Sequence, residues 1–505
     1  MHVVLVSTYL YPVALGMRYI SAFLKRAGHT VTCLFMSSQR DTADTLSPAL
    51  RSDYVERCRD ADVIGLSLMT NSFFRSCELT EVLRKGGVRA PILWGGTHPT
   101  VAPQQSAEVA DYICVGEGEK AMVEFLDALE TGRDPAGTRG FAYLRHGELV
   151  QNPVYPLADD LDAYPFPDYD LAGHWVVHKG RLAPADPRFL RGTLRRYRLS
   201  STRGCPFCCS FCNNATQLRI YRDAGYARYW VRKRGTESVL AEIEQMRTRY
   251  PMIEAVNLVD DLFLIRSEAE VAAFAEAYRK RVNLPLEIDA FPNTVTEAKI
   301  RALSSLPIEL ISMGIQSGSQ DTLYKLYQRP TRIEQVAEAI RILSRYGLRA
   351  EYHYLVNNPF ESEQSRVETL RFAADHHRGP AKLRLFPLQF YPGSVMYQRA
   401  VREGIIGEKH AEAYRLVYTG KKHITHAAYL EIWLRIVLAL RGAGLPSRWV
   451  HRVIDFALHP YVRRCLDQRW FAPLGYAAYR VGRIVYKNLI YKPLLRPVLF
   501  LRRRR

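Results

Sequence analysis

The sequence predicts an α/β protein followed by a mainly helical C-terminal region. Short apolar runs alternate with helix-like segments in two successive series along the 505 residues. Such alternation is typical of parallel sheets covered by helices. Beyond Gly404 the alternation is lost, and long segments with apolar residues at helical spacing follow.

The first series predicts a flavodoxin-like (Rossmann-type) domain over residues 1–150. Its strands begin with the buried run His2–Thr8, and ligands of such sheets bind beyond the carboxyl ends of the strands. From the residues alone, a nucleotide, a flavin or no ligand remain open. The small and polar residues at these predicted strand ends are Ser67, Thr70, Gly95, Gly96, His98, Gly116, Glu117 and Gly118.

Residues 151–198 are rich in Pro, Asp and Arg and predict a linker. A second series over residues 199–403 contains about six strand–helix units, which fits a partial barrel. In barrels the chemistry lies at the carboxyl ends of the strands. Three polar residues stand at such ends here: Asp260, Gln316 and Ser317.

Three cysteines at CxxxCxxC spacing, Cys205, Cys209 and Cys212, are the strongest chemical signal in the chain. Three thiolates on one tight loop can hold three irons of a [4Fe–4S] cube and leave the fourth open. A zinc site is the alternative, but no further Cys or His follows within the next 100 residues at ligand spacing. Cys208 lies inside the motif, and we interpret it as a bystander.

The segment from Ser200 to Asn213 resembles the cluster loop of radical S-adenosylmethionine (SAM) enzymes. This resemblance implies a partial (β/α)6 barrel, a [4Fe–4S] cluster and SAM bound to its open iron. It places Phe211 against the adenine and Gln316 and Ser317 along SAM. Asp260 is expected to bind SAM, with a substrate contact or a helix cap as the alternatives.

The glycine-rich strand ends ahead of this loop resemble the cobalamin-binding domain of the cobalamin-dependent radical SAM family. The loop at 9–16 carries no histidine, so we expect cobalamin without a protein histidine below the cobalt. The resemblance places the nucleotide tail along Gly95 and Gly96. We interpret His98 as a surface or tail-contacting imidazole rather than a cobalt ligand. The expected cobalamin contacts are Ser67, Thr70, Gly95, Gly96, His98, Gly116, Glu117 and Gly118.

The same resemblance implies radical chemistry with cobalamin as a methyl donor. We expect methylation of an unactivated carbon, or of a phosphinate phosphorus, on a small molecule or lipid. Cyclisation of the porphyrin ester cyclase type and ring contraction are the alternatives within the family. An external flavodoxin- or ferredoxin-like electron donor is implied. No general-base pair or nucleophilic triad is recognisable, so catalytic residues stay unassigned.

The C-terminal region, residues 404–505, carries most of the excess positive charge. The formal net charge is +19, and the last 65 residues hold 15 Lys and Arg against two acids. Basic amphipathic helices with Trp and Tyr fit an anionic membrane surface, whereas a helical bundle closing the barrel is the plainer interpretation. RNA binding is the alternative of another class, but no RNA-binding module is recognisable.

The cysteine usage and the lack of a membrane span or signal peptide predict a cytoplasmic protein. Five of the nine cysteines are scattered singly, which is not a disulfide framework. No uncharged apolar stretch approaches the ~18 residues of a membrane span. We therefore expect a cytoplasmic enzyme, with peripheral contact to the inner face of the membrane as one interpretation of its basic end.

Overall fold

The structure is a computed structural model that describes residues 1–8, 13–36, 46–377, 382–406 and 428–466. Within these ranges the side chains of residues 189, 190, 428, 465 and 466 are not described. The described part of the loop at 9–16 begins at residue 13, and the basic segment 467–505 lies outside the described residues. The chain divides into two compact units, Met1–Asp289 with Arg301–Glu309 and Gln389–Gly420, and Ala290–Ile300 with Leu310–Leu388 and Lys421–Arg505.

The first unit contains a nine-stranded sheet of order β7-β6-β5-β4-β3-β1-β2-β8-β9. Its six central strands are parallel, and antiparallel strands close both edges. The strands are β1 (His2–Ser7), β2 (Thr30–Phe35), β3 (Val63–Ser67), β4 (Ile92–Gly95), β5 (Tyr112–Cys114), β6 (Phe141–Arg145), β7 (Glu148–Gln151), β8 (His174–His178) and β9 (Arg181–Pro184).

Both faces of this sheet are buried, as its apolar strands predict. Val4 and Val6 of β1 pack into one core cluster, and Val3 and Leu5 pack into the cluster on the other face. Helices cover the sheet: α1 (Leu15–Arg26), α2 (Pro48–Cys58), α3 (Phe73–Lys85), α4 (Thr97–Val101), α5 (Pro103–Ala107) and α6 (Glu119–Glu130). The flavodoxin-like prediction is confirmed.

The strand order sets a topological switch point at the centre of the sheet. The chain leaves β1 for β2 on one side and returns to β3 on the other side of β1. Connections therefore diverge at the carboxyl ends of β1 and β3, which is where open α/β sheets bind their ligands.

Part of the predicted linker belongs to the sheet instead. β8 pairs in parallel with β2, and β9 pairs antiparallel with β8. The Pro- and Asp-rich composition of residues 151–198 therefore hides two short strands, of which β9 lies at the edge of the sheet and β8 is paired on both sides.

The cysteine motif lies in the same unit, beyond the first strand of the second series. β10 (Arg196–Leu199), β13 (Ala255–Leu258) and β14 (Leu286–Ala290) are parallel, and β11 (Thr202–Arg203) pairs antiparallel with β12 (Arg232–Lys233). The accompanying helices are α7 (Pro187–Leu194), α8 (Asn213–Asp223), α9 (Thr236–Arg249), α10 (Glu268–Arg281), α11 (Glu297–Leu303) and α14 (Val395–Arg402).

The second unit carries the later strands of the second series and the C-terminal helices. β15 (Ile308–Gln316), β16 (Ala350–Val356) and β17 (Lys382–Pro387) are parallel. Helix α13 (Glu363–His376) packs with the C-terminal helices in one apolar cluster that includes Leu370, Trp433 and Ile454. The other helices are α12 (Ile333–Arg345), α15 (Ala428–Gly442), α16 (Ser447–Leu458) and α17 (Pro460–Leu466). The helical C-terminal prediction is confirmed over residues 428–466.

Candidate functional site

The cysteine loop joins the β11 strand to helix α8 and sets one of its four thiols apart. Cys209 is buried, Cys205 and Cys212 are half-buried, and Cys208 is exposed. The pKa of the Cys205 thiol is raised to about 12 and that of Cys212 to about 11, mainly by burial and to a smaller extent by neighbouring thiols of the motif. The thiols of the motif thus interact electrostatically, and bound iron would supply the charge that keeps them deprotonated.

Two carboxylates at the carboxyl end of β13 hold the backbone of this loop. Asp260 accepts hydrogen bonds from the backbone N–H groups of Ser201 and Thr202, the latter at 2.8 Å, and from the Ser201 hydroxyl. Asp261 accepts from the Gly204 N–H at 3.2 Å and from the Asn214 side-chain amide at 2.7 Å. Asp260 is 4% exposed, and its contact with SAM stays a prediction.

Trp230 supports the loop on another side and explains Gly204. The Trp230 indole Nε1 donates to the carbonyl oxygen of Cys205 at 2.8 Å. Gly204 has a φ of +85°, and a Cβ there would lie 2.1 Å from the Trp230 carbonyl oxygen. Only glycine fits this position, since the left-handed backbone and the close contact both exclude a side chain.

Two buried polar atoms beside the loop fit a bound cofactor. The Thr202 hydroxyl and the Asn213 amide oxygen are buried and find no hydrogen-bond partner among the described residues. Buried polar groups are almost always partnered in folded proteins. Phe211, which the sequence places against the SAM adenine, is half-buried, and that contact stays a prediction.

The second unit places Gln316 and Ser317 at the carboxyl end of β15. Gln316 has a φ of +73°, and its Nε2 lies only 2.4 Å from where a Cβ of Gly314 would be. Ser317 is 2% exposed, and its hydroxyl donates to Glu361 at 3.2 Å. Ser317 thus stabilises the turn after the strand, and the SAM contacts of both residues stay predictions.

The switch point of the N-terminal sheet is lined by hydroxyl groups. Thr8 donates to Ser72 at 3.0 Å and accepts from Ser76 at 2.9 Å, and the Thr8 N–H donates to the Ser67 carbonyl at 3.3 Å. The Ser7 hydroxyl is buried without a partner among the described residues. Ser7, Thr8, Ser72 and Ser76 form what we call the hydroxyl cluster.

The β4 turn lies next to this cluster. Gly96 has a φ of +103°, and a Cβ there would lie 2.6 Å from the Leu68 carbonyl, whereas a Cβ at Gly95 would lie 3.5 Å from the nearest atom, the Cys114 Cβ. His98 is fully buried, with its Nδ1 3.3 Å from the Thr70 hydroxyl. Burial lowers the His98 pKa to about 4. The imidazole is therefore not at the surface, which corrects that part of the sequence interpretation.

The β5 turn is filled by side chains of the cysteine segment. Glu119 pairs with Arg203 at 2.6 Å, and Glu117 pairs with Arg203 at 3.4 Å and with Arg232. Glu117, Glu119, Arg203 and Arg232 form what we call the ionic cluster. A Cβ at Gly116 would lie 2.2 Å from the Tyr221 hydroxyl. The Tyr221 side chain therefore covers the β5 turn at this glycine.

Comparison with known proteins assigns both halves of this arrangement. Residues 1–126 match the B12 binding domain, and residues 199–373 match the Radical SAM superfamily. The chain belongs to the cobalamin-dependent radical SAM family. It is accordingly a radical SAM protein whose cofactors are a [4Fe–4S] cluster, SAM and cobalamin.

Three relatives illustrate the range of this family. An uncharacterized methyltransferase of Pyrococcus horikoshii is 23% identical over 74% of this chain and 79% of its own length. The anaerobic magnesium-protoporphyrin IX monomethyl ester cyclase of Rubrivivax gelatinosus is 26% identical over 71% of this chain, which spans 61% of the cyclase. The bacteriochlorophyllide d C-8(2)-methyltransferase of Chlorobaculum tepidum is 22% identical over 80% of this chain and 84% of its own length.

A solved structure has the same fold. The radical SAM methyltransferase TsrM from Kitasatospora setae, bound to tryptophan and the SAM analog aza-SAM, superposes with a TM-score of 0.63. It is 17% identical and covers 80% of this cobalamin-dependent radical SAM protein and 76% of TsrM. The likeness confirms the fold class predicted from the sequence.

The described residues fit the three cofactors of the family. The cysteine loop offers three thiols on one short segment, and Thr202 and Asn213 offer unpartnered polar atoms beside it. At the switch point, the unpartnered Ser7 hydroxyl and the side-chain-free Gly95 fit a bulky polar ligand such as the cobalamin tail. Sequence reasoning missed Thr8, Ser72 and Ser76 as site residues, although Thr8 is the last residue of the first predicted strand.

Proposed function

We propose that the protein is a methyltransferase that acts on an unactivated carbon of a small-molecule or lipid substrate. The observation that carries the proposal is the junction of the two cofactor domains. The β5 turn of the cobalamin-type sheet contacts the segment that leads into Cys205. Two relatives named as methyltransferases, aligned over 74% and 80% of the chain, support the same activity.

The chain's own residues have distinct parts in this proposal. Bound together, the cluster and SAM supply hydrogen-atom abstraction, and cobalamin supplies a transferable methyl group. We assign Cys205, Cys209 and Cys212 to three irons. Asp260 and Asp261 hold the loop that carries these thiols, and the hydroxyl cluster and Gly95 bind the polar periphery of cobalamin.

Cyclisation without methyl transfer is the second candidate. The cyclase of Rubrivivax gelatinosus is 26% identical over 71% of this chain. The two candidates differ in the fate of the SAM methyl group, because only methylation transfers its carbon to the product.

A labelling experiment separates the candidates. The anaerobically reconstituted protein receives methyl-deuterated SAM, reduced flavodoxin and a lipid-plus-metabolite extract, and mass spectrometry follows label and 5′-deoxyadenosine. Methylation predicts both a labelled product and 5′-deoxyadenosine. Substrate-dependent 5′-deoxyadenosine without labelled product would replace methylation by cyclisation or rearrangement.

Cysteine variants test the ligand assignment within the same assay. Cys212→Ala should lose the cluster and SAM cleavage. Cys208→Ala is the matched control, because Cys208 lies in the same loop with its side chain exposed. Iron and sulfide content and the visible spectrum report the cluster independently of turnover. Loss of the cluster in Cys208→Ala would show that the ligand assignment is wrong.

We also propose peripheral contact with an anionic membrane through α16 and α17. Trp449, Phe456 and Tyr461 are 47%, 58% and 73% exposed, whereas Val450 and Ile454 on the opposite face of α16 are buried. Three arginines accompany the aromatic residues: Arg448, Arg452 and Arg464. Each cation near an anionic bilayer contributes about 1 kcal/mol. Among the described residues, no helix combines the length and hydrophobicity needed to cross a bilayer.

Vesicle binding tests this surface. Retention on phosphatidylglycerol vesicles, but not on phosphatidylcholine vesicles or RNA at the same salt, is expected. Replacing Trp449 and Phe456 by Ser should weaken retention, whereas Tyr324→Ser should not, although Tyr324 is a 51% exposed aromatic residue of the same unit. Equal retention of both variants, or retention on RNA alone, would contradict the proposal.

A further inference from the structure

The ionic cluster joins the cobalamin-type sheet to the cysteine segment across long sequence separations. Glu117 lies in the turn after β5, and Glu119 is the first residue of α6. Arg203 and Arg232 lie opposite each other in the antiparallel β11–β12 ribbon. The Arg203–Glu119 contact is 2.6 Å, and Arg232 contacts both carboxylate oxygens of Glu117. Two acids and two bases thus balance in charge, and Glu117 and Arg203 each contact two partners.

The cluster is largely withdrawn from water. The exposed fractions of the side chains are 4% for Arg232, 6% for Glu119, 19% for Arg203 and 22% for Glu117. Burial alone would raise the pKa of Glu117, but Arg203 and Arg232 outweigh it and lower that pKa. A buried charge left without its partner is strongly destabilising, so each of these residues depends on the others.

A second set of contacts, through Tyr221 and Trp230, also links the β5 turn to Cys205, a predicted ligand of the iron–sulfur cluster. The Glu117 N–H donates to the Tyr221 hydroxyl at 2.7 Å. The Tyr221 ring lies 5.7 Å from the Trp230 ring, and Trp230 donates to the Cys205 carbonyl at 2.8 Å. Tyr221 is 1% exposed and Trp230 is 5% exposed. The β5 turn is therefore packed against the support of the cysteine loop.

We infer that the ionic cluster is a positioning device that fixes the cysteine loop relative to the cobalamin-binding edge of the sheet. Glu117, Glu119, Arg203 and Arg232 act through the backbone that carries Cys205 and do not bind cobalamin. The inference rests on the family's cofactors and does not depend on methyl transfer. It replaces the expected cobalamin contact of Glu117 by an internal one.

The physical reason for such a device is the sensitivity of bimolecular chemistry to geometry. Arg203 stands two residues before Cys205, so a shift of the ribbon moves the first ligand of the motif. A misplacement of about 1 Å can cost on the order of 100-fold in rate. A matched set of buried charges has few alternative arrangements, because any shift leaves a charge unpaired.

The test compares three variants: Arg203→Gln, Glu119→Gln and the double variant. Arg203→Gln leaves Glu119 buried without its partner, whereas the double variant leaves no stranded charge in that pair. We expect all three to bind hydroxocobalamin with unchanged Kd. We expect Arg203→Gln to weaken the magnetic interaction between reduced cluster and Co(II) cobalamin, measured by electron paramagnetic resonance, and the double variant to restore part of it.

The control is Lys233→Gln in the same ribbon. Lys233 pairs with Glu270 across an exposed contact, with side chains 37% and 44% exposed, and it belongs to neither cofactor site. Its spectrum should equal that of the unaltered protein. If Arg203→Gln does not fold, Arg203→Lys keeps the charge but not the fork of hydrogen bonds, and it should show the same weakening to a smaller degree.

Two results would overturn the inference. Loss of hydroxocobalamin binding in a fourth variant, Glu117→Gln, with thermal unfolding unchanged, would make this residue a cobalamin ligand. An unchanged magnetic interaction in every folded variant, at full cluster and cobalamin content, would leave the charges with a stability role alone. Neither result depends on labelled product, so failure of the methylation proposal remains distinguishable.

Discussion

The β4 turn and the β5 turn lie at the same edge of one sheet and have opposite surroundings. The β4 turn, at Gly95 and Gly96, lies beside the hydroxyl cluster, where Ser7 has no partner among the described residues. The β5 turn, at Gly116 and Gly118, is covered by Tyr221 and by the arginines of the ionic cluster. One turn is suited to a ligand, and the other is occupied by the protein itself.

The difference shows what a glycine at a strand end can indicate. It marks a close approach to the backbone but does not identify the approaching group. At Gly96 the neighbour is the Leu68 backbone, and at Gly116 it is the Tyr221 hydroxyl. At Gly95 an added Cβ would make only ordinary van der Waals contact. Unlike Gly96 and Gly116, Gly95 is therefore not required to be glycine by its protein neighbours.

Replacing Gly116 should have the largest effect on folding. Gly116→Ala combines a φ of +94° with a Cβ 2.2 Å from the Tyr221 hydroxyl, and we expect a loss of about 2–4 kcal/mol in stability. Gly132→Ala shares the left-handed backbone but has open space around it, and we expect about 1 kcal/mol. Thermal unfolding of both variants measures the difference, and equal losses would contradict the packing of the β5 turn.

Gly95→Ala completes this comparison. Its added Cβ would lie 3.5 Å from the Cys114 Cβ, and we expect a loss below about 1 kcal/mol. Cobalamin affinity should fall instead, because the methyl group would occupy ligand space. An unchanged affinity would remove Gly95 from the cobalamin site.

His98 should make stability depend on pH at the β4 turn. Its folded pKa of about 4 lies below the unfolded value, so the unfolded chain binds more protons between about pH 6.5 and 4. Stability should therefore fall by about 2 kcal/mol as pH is lowered from 6.5 to 5. This contribution is absent in His98→Gln.

Urea unfolding at pH 7 and pH 5 measures this effect. His98→Gln should lose less stability than the unaltered protein over this range. The same variant should leave the visible spectrum of bound cobalamin unchanged, because His98 is not expected to ligate cobalt. A shifted cobalamin spectrum would contradict the buried structural role.

Ser7 should give the smallest effect and the most specific one. Removing an unpartnered hydroxyl does not break a hydrogen bond in the chain, so Ser7→Ala should leave apo-protein stability unchanged. Cobalamin affinity should fall by about 1 kcal/mol, roughly fivefold, if the ligand accepts or donates at this hydroxyl. Equilibrium titration measures the affinity.

Ser76→Ala is the matched control for Ser7→Ala. Its hydroxyl is already bonded to Thr8 at 2.9 Å, so the variant should lower stability by about 1 kcal/mol. The reverse pattern, with Ser7→Ala destabilising the apo-protein, would show that Ser7 has a structural partner.

The sequence predicted local features well and long-range pairings poorly. The strands of the first series and the cysteine motif are encoded within a few residues, and both the α/β fold and the family were predicted. The pairing of Glu117 with Arg232 spans 115 residues, and the pairing of β2 with β8 spans still more, because it places Cys33 opposite His174. The spacing of apolar residues along the sequence does not predict such pairings, because they depend on the order of the strands in the sheet.

Several contacts that shape the cysteine loop are made to its backbone rather than to its thiols. Asp260, Asp261 and Trp230 bind backbone groups at Ser201, Thr202, Gly204 and Cys205. These bonds do not require iron, so oxidative damage to the cluster would not by itself release the loop. A new cluster could then be inserted into a loop that is already folded. This property is useful for a metal centre that oxygen destroys.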